Sequence, residues 1–519
     1  MRPSLHFVAF SSLIGGDLCQ ETDQATRQVA IIGAGPAGSS AAYFLQNFAS
    51  EAGIHVNITL FEKTDRIGGR TLTINPFDDP AQRVELGASI FVQANQILYG
   101  SLAEFGLTTR EPDADADPIM GIWDGDRFVF TIDQAKPDWW NTLKVVLRYG
   151  YTAPQRTQQL AAATIAKFLR IYDAPIFPFR SLTEAAQDLG LVEATGVTGE
   201  QFLNANSISP LYAHDIIQAS TRVNYASNLA LIHGLDTMVS LAAEGAVAVV
   251  GGNWQIFDGM AHRSGATIAL NTTVVGLEKS QGSASSHPQY TVSTTSGSAP
   301  GSTSAYPVAF DNVVIANPFQ FSGISAAEGV LQSTIDQIPY VQLHVTIFAS
   351  PSWFKPQFFG LPKSSKPPGM VLTTLAKTDN STSGVGGVGK AGFFSLSNLG
   401  KAANPQTQQQ EYVYKIFSPE KVTPGFLSGL LGAKVPETFT GKSSPISWYH
   451  PHVFHSYPKA YPRVTFQDPI VGEGVYYTSG MESFISTMET NALMGKNVAR
   501  LIVDDISGGP WEDKQNVLN

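Results

Sequence analysis

Between Val29 and Glu62 the chain spells out a strand, a glycine turn, a helix, a second strand and an acid, an order that few folds accept. The turn is written Gly33-x-Gly35-x-x-Gly38 inside VAIIGAGPAGSSAAYFL (Val29–Leu45). Each glycine has its own task. Gly33 permits the tight turn, Gly35 lets a pyrophosphate come up against the backbone, and Gly38 lets the helix lie close on the strand. The free N–H groups at the helix start then face the phosphates. The second strand, VNITLF (Val56–Phe61), delivers Glu62 and Lys63, and an acid at that point binds adenosine ribose hydroxyls. Glycine-rich turns are common, but the full context is present here and predicts an α/β domain that holds a dinucleotide.

The next residues narrow the dinucleotide. RIGGRT (Arg66–Thr71) sets a second glycine pair and an arginine just beyond the acid, which resembles the flavoprotein amine-oxidase type of FAD site and not a plain NAD dehydrogenase. In that resemblance Gly68 and Gly69 pass the chain close to the diphosphate, and Arg70 offsets its charge by forked donation. VELGASIFVQANQILYGSLAEFGL (Val84–Leu107) resembles the following piece of such folds. Glu85, Gly87 and Ala88 would pass near the isoalloxazine, and a helix would begin around Asn95. Val274 is assigned to the cofactor side on the same ground.

At 519 residues the chain exceeds one ordinary core, so two domains are expected. A formal charge of −10 leaves no basic excess for a nucleic-acid partner. No apolar run reaches the length of about 18 residues that a spanning helix needs. The opening MRPSLHFVAFSSLIGGDLCQ resembles a secretory signal peptide, so residues 1–20 are set apart and a secretory, lysosomal or vacuolar destination, or secretion, is expected. Cys19 is the only cysteine and lies in this leader, which excludes a disulfide framework, a cysteine nucleophile or a thiolate metal site in the folded body. Sequons stand at Asn57, Asn271 and Asn380. Asn57 falls in a strand expected to be buried, and Asn380 in an exposed loop.

The organisation is interleaved. Residues 27–107, 248–320 and 470–508 read as one discontinuous FAD-binding domain, and 108–247 and 321–469 as a substrate or cap domain. Helical patterns dominate from about Asp138 to Ala248, as in Gln155–Tyr172 and Ser181–Leu189. Ala248–Ser280 reads helix then strand, Asp311–Phe319 as a buried strand, Val341–Ser350 as another, and Gly474–Ile506 as strand, turn and long helix. The Ser/Gly-rich stretch between Ser280 and Tyr306 reads as a polar hairpin or loop. The fold class is α/β, a Rossmann-like FAD domain of the glutathione-reductase/amine-oxidase type with an interleaved mixed helical and β substrate domain.

Segments spread over nearly the whole chain resemble the prenylcysteine oxidase (prenylcysteine lyase) family: FEKTDRIGGRTLT, ELGASIF, STRVNYASN, VVGGNWQIFDGM, HPHVFHSYP and YYTSGMESFISTMETNALMGKNVARL. RVNY followed by GGNW is the specific part. The resemblance implies an FAD-dependent thioether oxidase of lysosomes or vacuoles. Such an enzyme acts on the prenylated cysteine left by protein breakdown, using oxygen and water to yield cysteine, a prenyl aldehyde and hydrogen peroxide. It implies no protein partner. It also implies that the turn at Gly480 closes on the ribityl chain with Glu482 as hydroxyl acceptor. A helix opening near Ser483 would then aim its N–H groups at the pyrimidine end of the flavin. The chain departs from the pattern in two Ser/Gly/Pro insertions, Ser280–Tyr306 and Lys363–Lys390, which are expected to lengthen loops only.

The cofactor carries the redox chemistry, so catalytic residues beyond it are not assigned. Arg222 could bind the cysteine carboxylate by a bidentate fork, or form a helix-surface salt bridge. Asn224 and Tyr225 could orient ligand or flavin. His450, His452 and His455 match H-x-H-x-x-H, but prolines interrupt the segment and no acidic ligand lies nearby, so local loop packing or a place at the substrate mouth is expected of them instead of a metal, with His452 the substrate-site candidate. Other readings stay open: a flavin oxidase of another prenylated or amine small molecule, or a non-catalytic FAD-binding protein. A monooxygenase would need a second nucleotide motif, and IANPF stands where one would be sought.

Overall fold

The computed structural model describes residues 26–111, 117–242, 245–280, 288–296, 303–437 and 445–508. The leader and Cys19 lie outside the described residues. RQVAII (Arg27–Ile32) is apolar on both faces, as a central parallel strand must be. It sits between Asn312–Ile315 and Val56–Phe61, with Val29 opposite both Asn312 and Ile58. Thr267–Ala269 extends the sheet on one side, and Val475–Tyr477 then the antiparallel edge strand Ile470–Gly472 on the other. Segments far apart in sequence thus share one sheet.

Two helices cover one face of this sheet, Pro36–Glu51 and Met488–Ser507. They lie close because Gly495 faces the first helix, where a Cβ would stand 2.2 Å from the Ala37 carbonyl oxygen. The Ser40 hydroxyl also donates across the gap to the Ala492 carbonyl at 2.6 Å. The opposite face carries a four-stranded sheet whose Tyr290, Val292 and Phe310 pack on Ile32 and Phe61. Its hairpin strands Gln289–Ser296 and Thr303–Phe310 come from the first Ser/Gly-rich insertion.

The second insertion does more than lengthen a loop, contrary to expectation. Met370–Thr373 is a strand of the seven-stranded cap sheet, paired with Ile119–Trp123 on one side and Ser395–Ala403 on the other. Tyr340–Ser350, Gln410–Ser418, Phe128–Asp133 and the edge strand Trp448–Pro458 complete that sheet. A helical lobe stands beside it. Thr152–Leu169 and Leu182–Asp188 match the helical patterns, the latter capped by the Ser181 hydroxyl. Asn57 corrects a further expectation: its strand is central, but its side chain is exposed near the strand start. Asn271 and Asn380 are exposed as well.

Candidate active site

The cradle is made by backbone. Gly33 has φ +107° and its N–H donates to the Phe61 carbonyl at 2.7 Å, which closes the turn between the two central strands. A Cβ on Gly38 would stand 1.8 Å from the Gly33 carbonyl oxygen, so the helix cannot pack with any other residue there. Gly69 has φ +56° and its ideal Cβ lies 3.0 Å from the Gly35 Cα. The two glycine loops therefore face one another at the start of helix Pro36–Glu51. Arg66 braces the second loop by donating to the Gly69 carbonyl at 2.7 Å.

Glu62 is buried and held by local donors. The Ala34 N–H reaches its Oε2 at 2.9 Å, and the Thr64 N–H and hydroxyl reach its Oε1 at 2.9 and 2.8 Å. That leaves acceptor capacity on Oε2, which suits a ribose hydroxyl. Lys63 beside it is exposed. Val274 packs into the cluster with Ala30, Ile32 and Phe61, behind the cradle.

Arg70 and Glu482, expected to serve the diphosphate and the ribityl chain, are paired with each other. Arg70 Nη1 and Nη2 donate to Glu482 at 2.8 and 2.6 Å, and Nη1 also donates to the Ser456 carbonyl at 2.6 Å. The Tyr340 hydroxyl adds a third donor to Glu482 at 3.1 Å. The carboxylate is thus paired with a cation and a phenol, with acceptor capacity left on Oε1, and Arg70 reaches the site already compensated. Gly480 is dictated by the Gln467 backbone, whose carbonyl oxygen would lie 2.4 Å from a Cβ. Ser479–Ser483 is a 3-10 turn and the long helix opens at Met488, capped by the Thr487 hydroxyl, five residues beyond the expected start at Ser483.

A cavity of about 1420 Å³ adjoins the cradle. It exceeds the roughly 300–1,000 Å³ of a single small-molecule pocket, which leaves room for a large cofactor and a substrate together. Its lining includes Pro36, Arg70, Gly87, Ala88 and the helix start Thr487–Asn491 from the FAD-domain side. Gly87 is required because a Cβ there would stand 1.8 Å from the Arg70 carbonyl oxygen. Asn253 ties this strip to the following helix: its N–H donates to Glu85 Oε1 at 2.8 Å and its amide to the Ala88 carbonyl at 3.2 Å. Glu85 Oε2 is buried without a hydrogen-bond partner. Burial pushes the Glu85 carboxyl up to about 7, against the opposing pull of the Asn253 N–H and Lys415.

The cap contributes mainly apolar side chains, among them Ile122, Ile132, Phe168, Leu372 and Phe454. Asn224 and Tyr225 line the same cavity. Asn224 is fixed by donation to the Ser220 and Ser240 carbonyls at 3.0 and 3.1 Å. Behind Tyr225 lies a sealed pair, His233 and Asp236, their nearest side-chain atoms 3.6 Å apart. Burial pushes the Asp236 carboxyl well up and takes His233 down to about 4.

Arg222 does not belong to the cavity, and this overturns its expected role in carboxylate binding. It is 0% exposed, and its guanidinium donates to Thr373 Oγ1, Asn228 Oδ1 and the carbonyls of Gly387, Val388 and Phe393. Burial lowers it to about 9, against the opposing pull of Asp379. The helix bearing RVNY presents Val223, Asn224 and Tyr225 to the cavity and turns Arg222 into the cap sheet. His450 and His452 stack along one face of the edge strand, 6.5 Å apart, and neither lines the cavity. His455 is on the other face against Phe321, so the three rings do not converge.

Reading of the sequence missed Lys415. Its Nζ crosses from the cap sheet to the Glu85 carbonyl at 2.8 Å and Ser89 Oγ at 3.1 Å, and it lines the cavity. The available signal was a single charge inside the otherwise apolar run YVYKIF. Glu489, also missed, accepts from the Ile97 and Leu98 N–H groups at 2.9 and 3.0 Å and from the Tyr172 hydroxyl at 2.6 Å.

Fold and cradle together define a flavin-dependent oxidoreductase: two facing glycine loops at a helix start, a ribose-competent acid, and a deep cavity between the nucleotide sheet and a cap. In architecture the chain is similar to cyclohexylamine oxidase from Brevibacterium oxydans IH-35A, with a TM-score of 0.54, 17% identity and coverage of 93% of this chain and 99% of that one. It is likewise similar to a putrescine oxidase solved with putrescine bound, with a TM-score of 0.51, 16% identity and coverage of 92% and 99%. A Rossmann-like NAD(P)-binding domain model matches residues 31–105.

The chain belongs to the prenylcysteine lyase family, whose model matches residues 132–513. A farnesylcysteine lyase of Arabidopsis thaliana is 28% identical over 505 residues, covering 93% of this chain and 89% of that protein. Prenylcysteine oxidase 1 of Homo sapiens is 26% identical, covering 91% and 88%.

Proposed function

We propose that the chain is an FAD-dependent oxidase that cleaves the thioether of farnesyl- or geranylgeranyl-cysteine in the breakdown of prenylated proteins. The observation that supports this most is a single cavity joining the FAD-type cradle to an aliphatic cap wall, in a member of the prenylcysteine lyase family. Bound in the cradle, FAD would supply the two-electron acceptor for the carbon between sulfur and the prenyl double bond. Oxygen and water are the co-reactants, and one thioether with one of each gives cysteine, prenyl aldehyde and hydrogen peroxide.

The chain's own residues have three tasks in this reading. Ile122, Ile132 and Leu372 accept the prenyl chain and exclude bulk water from the reacting carbon. With Arg222 committed to the cap sheet and Arg70 paired with Glu482, the cations Arg83, Arg110, Lys401 and Lys415 are the cavity-lining partners for an amino-acid carboxylate. Glu85 holds Oε2 free to take the proton released when water adds.

Oxygen uptake with both prenylcysteines, measured beside benzylamine and a polyamine, tests the reading. Uptake with the thioethers, with peroxide formed in step, is expected. Oxidation of amines alone would move the chain to amine chemistry. We also propose a secretory destination, in a lysosome, a vacuole or the medium, supported by the leader-like residues 1–20. Sequencing the native amino terminus and fractionating cells of the source would test it.

A further inference from the structure

The helix Asp138–Tyr149 (DWWNTLKVVLRY) is amphipathic in an unusual sense, because its large apolar side chains point away from the body of the protein. Trp139 is 64% exposed, Trp140 44%, Leu143 40% and Leu147 77%, and Tyr151 just beyond the helix is 66% exposed. Trp140, Leu143 and Leu147 stand three and four residues apart, so they form one stripe along the helix. Leu211, 48% exposed, stands beside Tyr212, whose ring packs edge-on against Tyr149.

The opposite face holds the helix in place. Tyr149 is buried, Asn141 bonds Asp133 from both ends of its amide, and Arg148 reaches Asp215 at 2.8 Å. Val145 packs in one cluster with Ile122, Ile132 and Ile216. Those three isoleucines also line the cavity. The helix and the layer of isoleucines beneath it therefore separate the exposed stripe from the cavity.

Charge narrows the choice of partner. From Gln134 to Arg156 the sequence has four cations, Lys136, Lys144, Arg148 and Arg156, against one acid, Asp138, in a chain of net charge −10. Arg148 is partly engaged by Asp215, and Lys144 bonds Thr131. Tryptophans at one end, a tyrosine at the other, leucines between and cations alongside are the composition of a helix lying in a lipid interface.

We propose that this helix, with Tyr151 and Leu211, seats the protein on an anionic lipid surface, so that an amphiphile leaving the bilayer meets the cavity wall directly. The idea of a lipid-like substrate rests on the function proposed above; the docking itself does not. Flotation of the FAD-loaded protein with phosphatidylcholine vesicles, with and without phosphatidylserine, tests it. The wild type is expected to float with the mixed vesicles and less with phosphatidylcholine alone. The double variant Trp139→Ser, Leu147→Ser should lose vesicle partition by about tenfold or more, from the apolar area withdrawn. Its flavin content and its turnover of a water-soluble thioether should be unchanged, and Val385→Ser, exposed elsewhere, should float as the wild type does.

Equal flotation of the double variant and wild type would overturn the proposal, and so would equal binding to both vesicle types. Loss of self-association in place of vesicle binding, read by light scattering, would assign the stripe to a second copy. A protein that floats but oxidises no prenylcysteine keeps the docking and removes the functional reading. One that oxidises soluble prenylcysteine but never floats does the reverse.

Discussion

The cradle and the cavity meet at Arg70 and Gly87, yet they are specified in opposite ways. Gly33, Gly35, Gly38, Gly68 and Gly69 fall within one short stretch, and their geometry is a property of backbone: positive φ at Gly33, Gly68 and Gly69, and no room for a Cβ on Gly38. The cavity wall takes Ile122 from one cap strand, Leu372 from another, Phe168 from the helical lobe and Thr487 from the last helix. No local pattern announces such a wall. A cradle is written in consecutive residues, whereas a chamber is written in topology.

That contrast gives predictions of graded size. The largest concerns the cradle. Gly38→Val should give no soluble flavoprotein, since its Cβ alone would stand 1.8 Å from the Gly33 carbonyl oxygen. At Gly35 the only nearby atom is the Gly69 Cα, 3.7 Å from an ideal Cβ, so Gly35→Val should fold and yet lose flavin by about tenfold or more, because the methyls occupy pyrophosphate space. Circular dichroism beside flavin absorbance separates the two outcomes. Equal flavin loss and equal unfolding in both would break the distinction between packing glycine and ligand glycine.

Next in size is Arg222. Arg222→Met withdraws the guanidinium donors from Asn228 Oδ1 and the Val388 carbonyl in a sealed environment, while the Gly387 and Phe393 carbonyls keep the Asn228 amide and the Thr373 hydroxyl. We expect a loss of about 3–5 kcal/mol in unfolding free energy by denaturant titration, with KM for the thioether unchanged in the protein that remains folded. A raised KM with intact stability would return Arg222 to the substrate.

Filling the chamber should cost turnover and nothing else. Leu372→Trp narrows the wall opposite the cradle, so kcat/KM for geranylgeranyl-cysteine should fall by about tenfold or more, with flavin content and spectrum intact. Unchanged kinetics would mean that the prenyl chain lies elsewhere.

The smallest effect is the pH response of Glu85. Its folded value is raised to about 7 from an ordinary 4.5, so its protonated form is favoured in the folded protein. The stability it contributes is full below 4.5 and is lost as pH rises through about 7. As a proton acceptor it must be ionised, so the rate should rise over that same upper range. In Glu85→Gln, which keeps an acceptor for the Asn253 N–H, both pH dependences should flatten, read by thermal unfolding and by initial rates. Profiles that match the wild type would assign the titration to another group.

The nucleotide-binding strands and the long C-terminal helix were legible because a continuous apolar strand and a glycine turn leave few alternatives. Placement of the carboxylates and cations was less so. Arg222 and Asn224 are two residues apart on one helix, but only the fold determines that one enters the cap sheet and the other the cavity. Glu482 is close in sequence to the helix that lines the cavity, yet Arg70 and Tyr340 claim it from distant segments. The Ser/Gly/Pro insertion Lys363–Lys390 looked dispensable because its composition is that of a loop. In fact its short strand and its carbonyls complete the cap sheet and satisfy Arg222.

The central claim is that cradle and cavity act on one thioether together. Anaerobic mixing of the flavin-loaded protein with S-farnesylcysteine tests it most directly, since neither oxygen nor a coupled assay intervenes. The expected result is bleaching of the flavin absorbance together with release of one free cysteine per flavin. A flavin that stays oxidised with the thioether, but is bleached by a simple amine, would contradict it.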